Sequence, residues 1–202
     1  MSDALIFSRQ VDDVLAGKAP RDSILTLGDI PQVYLSLGVP RFKLVMTQGT
    51  MRKIITKHNV TIRTIKRLPA LLEKPVMVFR SATTPNALVA LINATDRNGN
   101  AVIAAIHPDR HHQQHRVNLI ASVYGKNRIR WFIDQIAEGR LLYVDKEKAL
   151  RWSRSARLQL PGEVTAARHS KVIARAPHKV KENCPAKKRR NPQKKGSDHE
   201  DQ

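Results

Sequence analysis

His107, Ser122, Tyr124 and Lys126 are the residues of this chain whose types and positions suit chemistry on a phosphate. His107 closes an apolar run and precedes Pro108, which places its imidazole where a strand enters a loop. An imidazole with a pKa near ~6.5 takes or gives a proton at neutral pH. A hydrogen-bonded structural histidine at a strand end leaves the same trace in a sequence. In the string SVYGK, Ser122 and Tyr124 share one face of a regular strand, and Lys126 follows Gly125 towards a helix start. A hydroxyl, a phenol and an ammonium beside a helix N-terminus suit phosphate binding. The plainer reading is a strand-to-helix turn with an exposed lysine, and no GxxxxGK[ST] loop is present. Ser81, with Thr83, offers a second hydroxyl at a strand end, Asn118 a side chain to orient a base or ribose, and Tyr143 and Lys146 a further phosphate contact.

Metal chemistry finds little support. His111, His112 and His115 stand in HHQQH without the glutamate of an HExxH helix, and Pro108 with its polar neighbours argues for a solvated loop there. Carboxylates are sparse and none pair at a useful spacing, which disfavours a two-metal nuclease. The expectation is a chain without cofactor. Nine aromatic residues without a ladder also disfavour a single-strand stacking platform.

The elements that must position these residues follow from period and punctuation. Residues 4–16 have a loose helical period ended by Gly17 and Pro20, and are expected to be peripheral. Short strands are expected at 24–27 and 42–46, with a helical turn opened by Pro31 between them. Thr47 and Thr61 are N-cap candidates, the second for a stripe of Ile62, Ile65 and Leu68; Pro69 then breaks that helix or starts another turn. Strands follow at 76–80, 88–95, 101–107 and 117–124, the middle two joined at Asn98-Gly99, whose residues favour a positive φ. The polar stretch 108–115 reads as a loop. Asn127 is expected to cap a helix ending at Gly139, residues 141–144 form a last strand, and Asp145 caps a final helix. Leading helices, then adjacent and mainly antiparallel strands, then late helices make an α+β fold. The expected organisation is an N-terminal extension at 1–23, a domain at 24–161, and a disordered basic tail at 162–202.

Charge sets the partner class. The chain has 36 Lys and Arg, 17 Asp and Glu, a net charge of +19 and a pI near 10.7. Residues 1–162 hold 25 of the basic and 12 of the acidic residues, so +13 lies outside the tail. A folded body this basic favours a polyanion, and nucleic acid above a membrane surface. The segment KKRRNPQKK reads as a solvated charge run, a nuclear address or a polyphosphate-binding arm, the nuclear option being void in a bacterial chain. A lone Cys184 excludes a disulfide framework. With no apolar run long enough to span a bilayer and no secretory leader at the start, the expectation is a soluble, cytoplasmic chain.

The strings LPALLEKPVMVFRSATTPNALVALINATDRNGNAVIAAIHPD, VNLIASVYGK and GRLLYVDKEKALRWSRSARLQLP together resemble a phage-associated domain. It is the domain at the C-terminus of MuF-type proteins and in polyvalent proteins of mobile elements. That group is similar to the barnase–EndoU–colicin–RelE superfamily of small α+β ribonucleases. The resemblance spans about residues 24–161. It implies a four-stranded antiparallel sheet behind N-terminal helices and an RNase-type toxin or effector acting in the bacterial host. Metal-independent RNA cleavage would then use His107 as acid or base, with Ser122, Tyr124 and Lys126 beside it. RNA is the implied partner, with an immunity protein where the domain is a toxin. An inactive nucleic-acid-binding or phage structural module of the same fold is the alternative.

Overall fold

Two long strands, β5 (Ala101–His112) and β6 (His115–Lys126), form the antiparallel hairpin at the centre of the molecule. The computed structural model describes residues 2–166 and 171–172. Six further strands complete one sheet: β1 (Ile24–Asp29), β2 (Lys43–Thr47), β3 (Met77–Arg80), β4 (Leu88–Thr95), β7 (Leu141–Val144) and β8 (Lys171–Val172). Their order is β1-β2-β6-β5-β4-β3-β7-β8, and every pairing is antiparallel except β2 with β6. The four strands implied by the resemblance are thus eight among the described residues. The leading segments at β1 and β2 add to the sheet because β2 docks parallel on β6.

Alternation along the strands divides the core into two layers. Val78, Leu88, Ala90, Val102, Ala104, Ile106 and Val123 face one side. There they meet α1 (Asp3–Leu15), α2 (Gln32–Ser36), α3 (Gln48–Lys57), α4 (Ile62–Lys66) and α5 (Leu68–Glu73). Met77, Phe79, Val89, Leu91 and Ile103 face the other side, covered by α6 (Arg130–Ala137), α7 (Lys146–Ser155) and α8 (Gly162–Ala166). Helices that precede β3 therefore cover one face, and helices that follow β6 cover the other. The architecture is α+β, as its pattern predicts.

The predicted caps at Thr47, Thr61 and Asp145 each accept a hydrogen bond from the backbone N–H three residues on, at 3.1 Å. Asn127 does not cap. β6 runs to Lys126, three residues are consumed in leaving the sheet, and α6 starts at Arg130 without a side-chain cap. The first helix is not peripheral either. Phe7, Val11 and Val14 are at most 1% exposed, and Gln10 accepts the Thr26 N–H at 2.9 Å. Of the predicted stripe, Ile65 and Leu68 are buried, whereas Ile62 is 36% exposed.

The stretch expected as a loop at 108–115 is a continuation of the hairpin. A register shift between His107 and Arg110 accommodates Pro108, which has no N–H to donate, and Asp109 takes φ +54° within it. At the β4–β5 turn only Gly99 has a positive φ, +79°, so the connection is longer than a two-residue turn. Val164 of α8 is buried in the second core layer, and β8 pairs with β7. The KKRRNPQKK segment lies outside the described residues. No helix among the described residues is long and apolar enough to cross a membrane.

Candidate functional site

The register of β5 and β6 separates the residues that the sequence grouped. His107 pairs with Leu119, Ala105 with Ser122, Ile103 with Tyr124 and Ala101 with Lys126. Ser122 is therefore one same-face pair along the ladder from His107, whereas Lys126 is six residues along β5, about 20 Å at the rise of a strand. His107 is half-buried, and burial together with the Arg110 charge holds its imidazole below the usual 6.5.

Asn118 is fully buried and its amide is spent on the fold. It donates to the Pro40 and Phe42 carbonyls at 2.9 and 3.0 Å and accepts the Asp109 N–H at 3.2 Å. Ser81 accepts the Thr83 and Thr84 N–H groups, at 3.3 and 3.1 Å, and so closes the turn after β3. Tyr143 lies on β7, four strands from β6 and about 19 Å away at ordinary strand spacing, and packs against the first core layer. Lys146 opens α7, which follows β7 on the same side strand.

What the fold does gather is a recess of about 290 Å³ where three segments meet. The end of α3 contributes Lys57, His58 and Asn59; the β4–β5 turn contributes Asp96, Asn98 and Asn100; the end of β6 contributes Tyr124 to Asn127. Asn59 takes φ +53°, stopping the chain after α3, and its carbonyl accepts the Arg97 N–H at 3.1 Å. Asp96 closes the turn by accepting from the Asn98 and Asn100 N–H groups, both at 2.8 Å, and from the Asn100 amide at 2.9 Å. Gly125 lets that carboxylate lie on the end of β6, since a Cβ there would stand 1.9 Å from Asp96 Oδ2.

The groups inside differ in their readiness to exchange protons. The His58 ring stands 5.6 Å from that of Tyr124, centroid to centroid. Its Nε2 is buried without a hydrogen-bond partner. Burial first, then the Lys53 and Lys57 charges, hold its pKa below 6.5, so the imidazole is neutral at pH 7. Burial raises the Tyr124 phenol above 10, keeping it a hydrogen-bond donor. Burial and Arg128 lower the Lys126 ammonium, which sits 4.7 Å above the centre of the Trp131 ring. Neither Lys57 nor Lys126 is ion-paired among the described residues.

His58 escaped sequence reasoning. Its only trace is its place in KHN, at the end of a helix and before an asparagine suited to a positive φ. The histidines of HHQQH fall on the extended hairpin, with His111 opposite Arg116 and His112 opposite His115. Among the described residues no group of three or more His, Cys, Asp or Glu is gathered to hold a metal.

Fold and recess together define a basic α+β domain with an imidazole, a phenol and an ammonium at one end of its sheet. The chain belongs to the phage MuF-C-terminal domain family, whose model matches residues 50–151, and this makes it a phage-associated module. The match contains the whole recess and also His107. No curated protein and no solved structure matches the chain significantly.

Proposed function

We propose that this module is a metal-independent RNA endonuclease whose centre is the recess of His58, Tyr124 and Lys126. The observation that carries the reading is the meeting of a neutral imidazole, a protonated phenol and an unpaired ammonium in one cavity of a strongly basic body. His58 accepts the proton of a ribose 2′-hydroxyl, and the 2′-oxygen attacks the adjacent phosphorus. The bond from phosphorus to the 5′-oxygen breaks, and that oxygen takes a proton from the Tyr124 phenol. Lys126 and Lys57 offset the charge of the phosphorane oxygens. The products are a 2′,3′-cyclic phosphate and a 5′-hydroxyl, and solvent returns the proton from imidazolium to phenolate.

His107, which the sequence grouped with Ser122, Tyr124 and Lys126, is the competing acid or base, and one assay separates it from His58. Purified protein is incubated with RNA in EDTA. Wild type and His107→Ala are expected to release cyclic-phosphate ends at similar rates, while His58→Ala loses at least about a hundredfold. Intact RNA with wild-type protein, or cleavage by His58→Ala at the wild-type rate, overturns the proposal.

The charge of the body favours a second reading, a nucleic-acid-binding module without cleavage. It is the outcome if RNA binds in a salt-sensitive way, stays intact, and is indifferent to His58→Ala. A toxin-type role with an immunity partner stays tied to the first reading.

A further inference from the structure

A second and larger recess, about 570 Å³, lies between the end of β4 and α7. Thr95 lines it, while the next residue, Asp96, lines the His58 recess, so the two cavities flank one turn. Its floor is the end of β4, where Asn93 and Thr95 are exposed and the register with β5 shifts between Leu91 and Thr95. Its wall is α7. Lys148, Arg151, Trp152 and Ser155 recur at i, i+3, i+4 and i+7, which aligns them as one stripe along the helix.

The stripe is not an ordinary solvated face. The Trp152 indole is held by an edge contact with Phe132, 4.8 Å between centroids, yet lines the cavity. Lys148 is engaged, by Asp145 at 2.7 Å and by the Lys74 carbonyl at 3.2 Å. Arg151 is exposed and has no ion pair among the described residues. A fixed indole next to an exposed guanidinium whose charge is felt by Asp145 but which makes no ion pair among the described residues, with amide and hydroxyl groups opposite, matches a nucleotide: a flat base to stack and a phosphate to fork.

We infer that this recess binds a nucleotide of the RNA strand flanking the cleaved bond, its base on Trp152 and its phosphate on Arg151. The inference rests on the RNA reading above and extends it, since the strand would pass over the β4–β5 turn from one cavity to the other. RNA approaching only the His58 recess would miss these contacts.

The test uses the full chain and a 2′-O-methyl oligoribonucleotide, which lacks the attacking hydroxyl and so reports binding whether or not the protein cleaves. The chain has two tryptophans, and a stacked base quenches indole fluorescence. The oligonucleotide is expected to quench wild type. Trp152→Phe, which keeps an aromatic ring against Phe132, is expected to lose most of that quench. Arg151→Glu, a change at an exposed position, is expected to weaken binding by about tenfold. A 2′-O-methyl dinucleotide, long enough for the His58 recess alone, is expected to bind both variants as it binds wild type. Arg151→Glu binding the long oligonucleotide within twofold of wild type, or an unchanged quench in Trp152→Phe, overturns the inference. An acidic peptide that binds through Arg151 where the oligonucleotide does not would also overturn it. Should the cleavage assay fail while Arg151 governs binding, the endonuclease falls and the nucleotide site stands.

Discussion

A histidine near ~6.5 in water acquires its role from what surrounds it, and two half-buried histidines here, His58 and His107, are pushed the same way. Burial and neighbouring lysines lower His58, and burial and Arg110 lower His107. With the folded pKa below the unfolded one, the unfolded chain binds more protons in that interval, and stability rises with pH. The contribution of these groups is full above about pH 6.5 and is lost as pH falls through their folded pKa values. Thermal unfolding followed from about pH 7 down to pH 5 is expected to show a falling Tm, with a shallower fall in His58→Gln and His107→Gln. Cleavage, if His58 is the base, rises through the same lowered pKa and declines only where the Tyr124 phenol ionises, above 10. A rate profile centred above pH 6.5 on its acid side would contradict that assignment.

At the level of elements, the β5–β6 hairpin carries most of the positioning. Its lower end supplies Tyr124 and Lys126 to the recess, and its upper end continues through Pro108 to the Gln113 turn. Asn118 joins that upper part to the segment entering β2 through three hydrogen bonds. Substitution by alanine leaves two part-buried carbonyls and an N–H without this partner, an expected loss of about 1–3 kcal/mol. Urea unfolding checks it, and a change below about 0.5 kcal/mol would show that water replaces the amide. The sequence marked this asparagine as a side chain to orient a base or a ribose because it lies just after the polar stretch read as a loop. Nothing local says that the Pro40 and Phe42 carbonyls, 78 and 76 residues away, require it.

For the whole molecule, the decisive quantity is where the charge lies. Residues 1–162 have 25 Lys and Arg against 12 acids, and both recesses open among these basic residues. RNA affinity is therefore expected to fall linearly in log K against log salt, at about −0.7 per phosphate neutralised on a single strand. A chain ending at residue 172 is expected to keep a clear salt slope, reduced but not removed, in a titration series of increasing salt. Loss of all salt-dependent binding in that chain would assign the polyanion to the basic tail instead. Both helical layers bear on this. The helices before β3 bring Lys57 and His58 from one face, and α7 brings Arg151 and Trp152 from the other.

The elements themselves were largely legible in the sequence, because they depend on contacts within a few residues. Thr47, Thr61 and Asp145 cap their own next turn, and the short apolar runs over 88–95 and 101–106, bounded by turn residues, select strands buried on both faces. The basic body and the α+β class followed in the same way. The candidate recess was legible in part. Tyr124 and Lys126 stood out because they lie two apart on a strand, but His58, which lines the same recess, did not. Only the tertiary structure puts the end of α3 against the β4–β5 turn and the end of β6, so His58, 66 residues before Tyr124 in the chain, becomes its neighbour. Only the register separates His107 from Lys126 by six residues of strand. Spacing along a chain reports short-range geometry, and pairing between strands is set by long-range burial that no local pattern contains.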